Sequence, residues 1–204
     1  MPVLRVLRVL TYGEAALLAE LDDTAAVPGT RDAIAALDGV TEAIAGAATV
    51  LAVVDPVALD RVRAALTRLE PTTIARADRD PVEVPVVYDG ADLGDVATET
   101  GLSVEEVVAR HAAGTYIVRF CGFAPGFAYL DGLDARLHVA RRGEPRTAVP
   151  AGSVAIAGEF TGVYPRPSPG GWRLLGHTDA ALWDVTRDPP ALLGPGTPVR
   201  FVRS

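Results

Sequence analysis

From Thr115 onward the chain is interrupted every few residues by glycine or proline, and the runs between them are short and β-like: residues 116–120, 153–157, 172–175, 181–185 and 199–202. Long helices cannot cross such punctuation, because proline removes a backbone donor and glycine forfeits helix propensity. Many short strands with dense turn chemistry predict a closed barrel or a sandwich rather than a parallel sheet.

The first third has a different texture. Strands are expected over residues 3–10 and 15–21, hinged at Tyr12-Gly13, then a helix over 29–37 that Gly39 ends, and a hairpin of 40–44 with 49–54 around Gly46. Asp55 and Pro56 suit an N-cap and first helical position, and Leu59, Val62, Leu66 and Leu69 share one face of the helix they open. The order is ββαββα. Residues 71–80 (PTTIARADRD) are polar and aperiodic, which places a boundary between a domain of residues 1–78 and one of residues 79–204. The second domain opens with a strand over 82–88 and a short helix over 92–100 closed by Gly101. Ser103 and Glu106 form a capping-box pattern for a helix that Gly114 terminates. The fold class is α+β, a small α/β domain followed by a β-barrel, and 204 residues suffice for two small cores.

All nineteen cations are arginine; the chain has no lysine. This excludes a Walker A loop, a kinase ATP-clamping lysine, a Schiff base and a biotinyl-lysine, so no biotin is carried here. If ATP is bound, arginines and backbone amides hold it, or a partner does. A net charge of −7 argues against nucleic acid. The longest apolar run, 43–54, falls short of the roughly 20 residues a membrane helix needs. The first ten residues lack an export-signal pattern. The single Cys121 forms no internal disulfide, which fits the cytoplasm, and it reads as a small core residue or, less simply, a nucleophile.

Chemistry concentrates in residues 120–178. Gly122-Phe-Ala-Pro-Gly-Phe127 sets Pro125 and Gly126 at the centre of a type II turn. Phe123 and Phe127 then either fill the barrel or wall a ligand pocket. Arg141, Arg142 and Arg146, with the Gly152-Ser153 turn, offer guanidinium forks and amides to an anion, or form a solvated loop. Between Tyr164 and Trp172, prolines rule out a regular ladder, so the amides near Ser168, Gly170 and Gly171 bond to a ligand or to water. His111, His138 and His177 have no metal-ligand spacing. His111 and His177 are candidates for proton transfer.

These segments resemble, in order and spacing, the family of 5-oxoprolinase B subunits (PxpB), also called the kinase-inhibitor (KipI) or allophanate hydrolase subunit 1 family. The matching stretches are His111 with Tyr116 and Val118, GF-A-PGF-A-YL (122–130), RRGEPR (141–146), VPAGSVAIAG (149–158), TGVYP (161–165), SPGGW (168–172) and Gly176-His-Thr178. Two positions depart from the usual pattern: Ala140 replaces a proline, and Phe160 replaces a glutamine. The resemblance implies a cyclophilin-like barrel. It also implies partnership with a C subunit (KipA or allophanate hydrolase subunit 2-like) and an A subunit (LamB/YcsF-like) in the ATP-dependent conversion of 5-oxoproline to glutamate, with this chain inactive alone. A lactam is a poor electrophile, and phosphorylation turns its oxygen into a leaving group, with Mg²⁺ as the counter-ion to ATP. The implied roles are anion grip for Arg141, Arg142 and Arg146, amide donation for Gly152, Ser153, Gly170 and Gly171, and proton transfer for His111 or His177. Two other readings follow from the same resemblance: a KipI-type inhibitor that binds a sensor histidine kinase, and a urea carboxylase-type carboxyltransferase subunit. A proline isomerase rests on fold alone.

Overall fold

The computed structural model describes residues 6–71 and 80–204. The chain separates into two compact units, Met1–Arg76 and Ala77–Ser204. The boundary expected after residue 78, and the first residues of the expected strand over 3–10, lie outside the described residues.

In the first unit β1 (Val6–Thr11), β2 (Ala16–Leu21), α1 (Val27–Ala35), β3 (Val40–Ala45), β4 (Thr49–Val54) and α2 (Leu59–Arg68) follow in the expected order. The strands form an antiparallel sheet in the order β1-β2-β4-β3. Alternation decides which face is covered. Leu17, Ala19 and Leu21 of β2 and Val50, Ala52 and Val54 of β4 are buried with Ile34 of α1 and with Val62 and Leu66 of α2. Asp55 caps as expected, its carboxylate accepting from the Val57 amide, although the first turn is a 3₁₀ turn that precedes α2.

The second unit contains β5 (Val82–Val86), α3 (Leu93–Thr100), α4 (Val104–Ala113), β6 (Tyr116–Cys121), β7 (Ala128–Asp131), β8 (Arg146–Val149), β9 (Ser153–Ala157), β10 (Phe160–Val163), β11 (Ser168–Gly170), β12 (Arg173–His177) and β13 (Pro198–Arg203). Seven strands form one sheet in the order β12-β9-β10-β7-β6-β13-β5. Its two edges meet where Val87 and His177 exchange backbone bonds of 2.9 Å each, so the sheet closes on itself as the barrel the resemblance implied. Glycine makes that seam passable: a Cβ on Gly176 would stand 2.2 Å from the Val87 carbonyl oxygen, and one on Gly90 would stand 2.3 Å from that of Leu174. Pro85 sits in β5, where the ladder tolerates a missing donor.

Helix α4 carries the full capping box. Ser103 Oγ accepts the Glu106 amide, and the Glu106 carboxylate accepts the Ser103 amide at 2.8 Å. The strand expected over 181–185 does not form. Trp183 makes a single bridge to Ala191, while the Asp184 carboxylate takes both the amide and the hydroxyl of Thr186, a local turn that competes with a ladder.

The barrel sheet buries two cores. Val154, Ile156 and Leu175 point into the barrel with Val118, Leu130 and Phe201. On the opposite face, Ala155, Ala157 and Leu174 join Phe127, Tyr164 and Trp172 in a separate cluster. Strands β8 and β11 pair with each other, apart from the barrel sheet.

Candidate functional site

The outer cluster builds a pocket of about 80 Å³ lined by Phe123, Phe127, Tyr129, Arg141, Tyr164, Pro169, Gly170, Gly171 and Trp172. Pro125 and Gly126 form the expected type II turn, with Gly126 at φ 82° and the Phe127 amide donating to the Ala124 carbonyl at 2.9 Å. Just before it, Phe123 has φ 69°, and the Ala124 amide donates to the Gly122 carbonyl at 2.8 Å, a tight γ-turn. A non-glycine residue held there stores about 1–3 kcal/mol. The result is that Phe123 stands 60% exposed at the mouth, with its ring edge-on to Phe127 at 5.4 Å and to Tyr164 at 6.3 Å.

The pocket walls are closely packed. Phe127 packs edge-on to Tyr164 at 5.2 Å and to Trp172 at 5.5 Å, and all three are buried. Gly170 has no room for a side chain, because a Cβ there would lie 2.3 Å from the Tyr164 hydroxyl. Burial pushes the Tyr164 phenol up, against the opposing pull of the Trp172 amide and the Arg141 and Arg146 charges, so it is a neutral donor at physiological pH. Burial likewise raises Tyr129, with Arg141 opposing.

The three loop arginines do different jobs. Arg142 and Arg146 both turn to Asp92, a buried carboxylate at the start of α3. Arg142 Nη1 donates at 2.6 Å, Arg146 donates through both Nη atoms at 2.9 and 2.8 Å, and the Leu174 amide donates at 2.7 Å. Burial alone would raise Asp92, but the Arg146 bonds, the Leu174 amide and Arg142 outweigh it and hold the carboxyl below the ordinary aspartate value. The Arg142 amide also donates to the Gly171 carbonyl at 2.8 Å, which ties the loop to the pocket rim. Arg141 is exposed and reaches the pocket, and among the described residues it is paired with no carboxylate.

The other predicted residues lie elsewhere. The Gly152 amide is spent on the Tyr164 carbonyl at 2.7 Å, Ser153 is buried, and the Ser153 amide donates to the Pro150 carbonyl, so this turn holds the barrel together rather than facing the pocket. Ser168 lies in β11 opposite Val149, its hydroxyl turned to the Arg166 carbonyl. His111 is fully buried in the barrel. Thr161 donates its hydroxyl to the Ala155 carbonyl at 3.1 Å, so its lone pair accepts from His111 Nε2 at 2.9 Å, and Nδ1 accepts from Tyr88 at 2.8 Å. Burial lowers the His111 pKa from 6.5 to about 3. His177 is exposed. Its Nδ1 bonds to Asp89 at 2.8 Å, which raises its pKa above the ordinary value. The Cys121 thiol is raised by burial and donates to the Leu193 carbonyl. Among the described residues, no three His, Cys, Asp or Glu side chains are grouped to hold a metal ion, and no helix is long and apolar enough to cross a membrane.

An open groove adjoins the pocket and shares Arg141. Ala140 and Phe160, the two departures from the family pattern, both line it with His138, Gly158 and Glu159. Phe160 packs edge-on to Phe120 and Tyr129 at 5.8 Å each, beneath the Arg119 guanidinium.

The α/β unit and the self-closing barrel together fall within one family: the model of the carboxyltransferase domain, subdomain C and D, matches residues 7–193. The chain is 41% identical to the 5-oxoprolinase B subunit of Escherichia coli O157:H7 over 207 residues, covering 96% of this chain and 95% of that one. It is 49% identical to the 5-oxoprolinase B subunit of Bacillus subtilis over 62% of this chain and 54% of that protein. The chain belongs to the carboxyltransferase-domain family that includes these two proteins. Among solved structures, TTHA0988 superposes with a TM-score of 0.79 at 37% identity over 93% of this chain, which spans only 40% of that longer one. A conserved uncharacterized protein from Pyrococcus horikoshii gives 0.60 at 33% identity, with 97% of both chains covered. Urea amidolyase of Kluyveromyces lactis gives 0.71 at 19% identity over 15% of its length, a likeness of fold.

Proposed function

We propose that this chain is the B subunit of an ATP-dependent 5-oxoprolinase, acting with C-like and A-like subunits to open 5-oxoproline to glutamate and inactive without them. The observation that carries this is its end-to-end similarity to a protein of that name, 41% identical with 95% of the relative covered. The site is compatible with it. The lactam-opening chemistry needs a held substrate, an activated carbonyl oxygen and a proton carrier.

ATP supplies the phosphoryl group that makes the lactam oxygen a leaving group. The pocket does not fit a nucleoside triphosphate: it encloses about 80 Å³, and Arg142 and Arg146, the expected phosphate ligands, already hold Asp92. In this reading the nucleotide and its Mg²⁺ belong to a partner protein. This chain contributes the Arg141 surface and, of its two candidate histidines, only His177 can exchange a proton with solvent, since His111 is sealed in the barrel. A cytoplasmic location follows from an ATP-dependent reaction.

The test is glutamate release from 5-oxoproline and ATP by the co-purified subunits, with each omitted in turn. Turnover that requires this chain is expected; a complete, assembled complex that releases no glutamate sinks the proposal.

A further inference from the structure

We infer that the outer aromatic pocket is the subsite for the ring and carboxylate of a small cyclic amide acid, 5-oxoproline itself, with Arg141 reading the carboxylate and Phe123, Phe127, Tyr164 and Trp172 holding the ring. The inference rests on the 5-oxoprolinase reading and says which of the reactants this chain holds.

Size selects first. A pocket of about 80 Å³ is well below the roughly 300 Å³ at which sites for nucleotide-sized ligands begin, so it admits one small ring. Shape selects next. Phe127, Tyr164 and Trp172 are buried and locked edge-to-face, so the small pocket has aromatic walls against which a flat five-membered ring can pack beside polar groups of the lining, and Phe123, with its positive φ, stands at the mouth.

Charge selects last. No carboxylate lines the pocket, and Arg141 is its one charged lining residue. The neighbouring cluster places two guanidiniums on one carboxylate, so it adds a net positive charge to the same side. Such a site favours a monoanion, and a planar guanidinium matches a carboxylate through two parallel bonds. Tyr164, whose phenol burial keeps neutral, is part of the same lining and adds no opposing charge to it. The Asp92 cluster is the positioning device: with Arg142 and Arg146 fixed, the loop's remaining guanidinium, Arg141, is presented outward.

The experiment is steady-state kinetics of the assembled complex with wild-type chain, Arg141→Gln and Phe123→Ala, varying 5-oxoproline and ATP separately, with 2-pyrrolidinone, the ring without its carboxylate, as a competing ligand. Loss of a charge-assisted bidentate contact raises KM for 5-oxoproline about 30-fold in Arg141→Gln, with kcat and the KM for ATP little changed. 2-Pyrrolidinone inhibits wild type and Arg141→Gln equally, because it has nothing for Arg141 to read, and inhibits Phe123→Ala less. An unchanged KM for 5-oxoproline in Arg141→Gln, or a raised KM for ATP, overturns the assignment while leaving the 5-oxoprolinase reading intact. If the wild-type complex shows no turnover, the 5-oxoprolinase reading fails first. Titration of 5-oxoproline into the full chain by NMR then decides the subsite, which stands only if wild type binds and Arg141→Gln does not.

Discussion

Asp92 follows Ala91 at a helix start, and from sequence it reads as the opening of a short helix and nothing more. Its side chain makes no capping bond and instead accepts from two arginines 50 and 54 residues later in the chain. Local chemistry was legible here, but a partner half a hundred residues away leaves no periodicity to find. The Pro125-Gly126 turn was legible for the opposite reason, since its geometry is written in adjacent residues. Replacing Asp92 by Asn leaves two part-buried guanidiniums without a counter-charge, and about 3 kcal/mol of stability is expected to go, measured by urea unfolding at neutral pH. A variant as stable as wild type would mean that the cluster is not a clamp. His111 makes a second prediction at this scale. Its folded pKa of about 3 lies below the unfolded 6.5, so the unfolded chain takes up a proton that the folded one refuses, and stability falls as pH drops through that window. Between pH 7.5 and 5 the loss amounts to about 2 kcal/mol. His111→Gln should be less stable at pH 7.5 but should lose about one proton's worth of slope. An unaltered slope would place the titration elsewhere.

Among the elements, helices and long strands were read correctly and the short strands of the site were not. β7, β8, β10 and β11 have three or four residues each and mix glycine, proline and arginine, so neither period two nor β-propensity rises above the turn signals around them. Conversely, residues 181–185 carry strand-like residues, yet Asp184 captures Thr186 and turns the chain. What the elements do together depends on the seam. β5 and β12 are joined through Val87 and His177, where two glycines allow backbone against backbone. A methyl group at Gly176 has nowhere to go, because its obstacle is a carbonyl oxygen and not a flexible side chain. Gly176→Ala is therefore expected to cost about 3 kcal/mol and to raise amide exchange in β5 and β12 before the rest of the barrel. Exchange that rises uniformly would show that the seam does not open as a unit.

All nineteen lysine-or-arginine positions of the molecule are arginine, and that composition gives the functional reading a chemical handle. With no side-chain amine, acylation of this chain before it is mixed with its partners has no lysine to modify, so turnover of the reconstituted complex should survive. Arginine-directed modification is different. Many guanidiniums are engaged, Arg8 with Glu20, Arg61 with Asp38, Arg110 with Asp134 and Arg173 with Glu99 among them, whereas Arg141 lines the pocket with no carboxylate partner among the described residues. Phenylglyoxal attacks the accessible neutral fraction of a guanidinium, and an ion pair both shields it and suppresses that fraction. The peptide bearing Arg141 is thus expected among the first to be modified, with turnover lost in step, and 5-oxoproline should slow both while 2-pyrrolidinone does neither. Mass spectrometry of the modified chain reads the order directly. Protection by ATP but not by 5-oxoproline would move the nucleotide into this pocket, and would undo both the size argument and the division of ligands among the partners that follows from it.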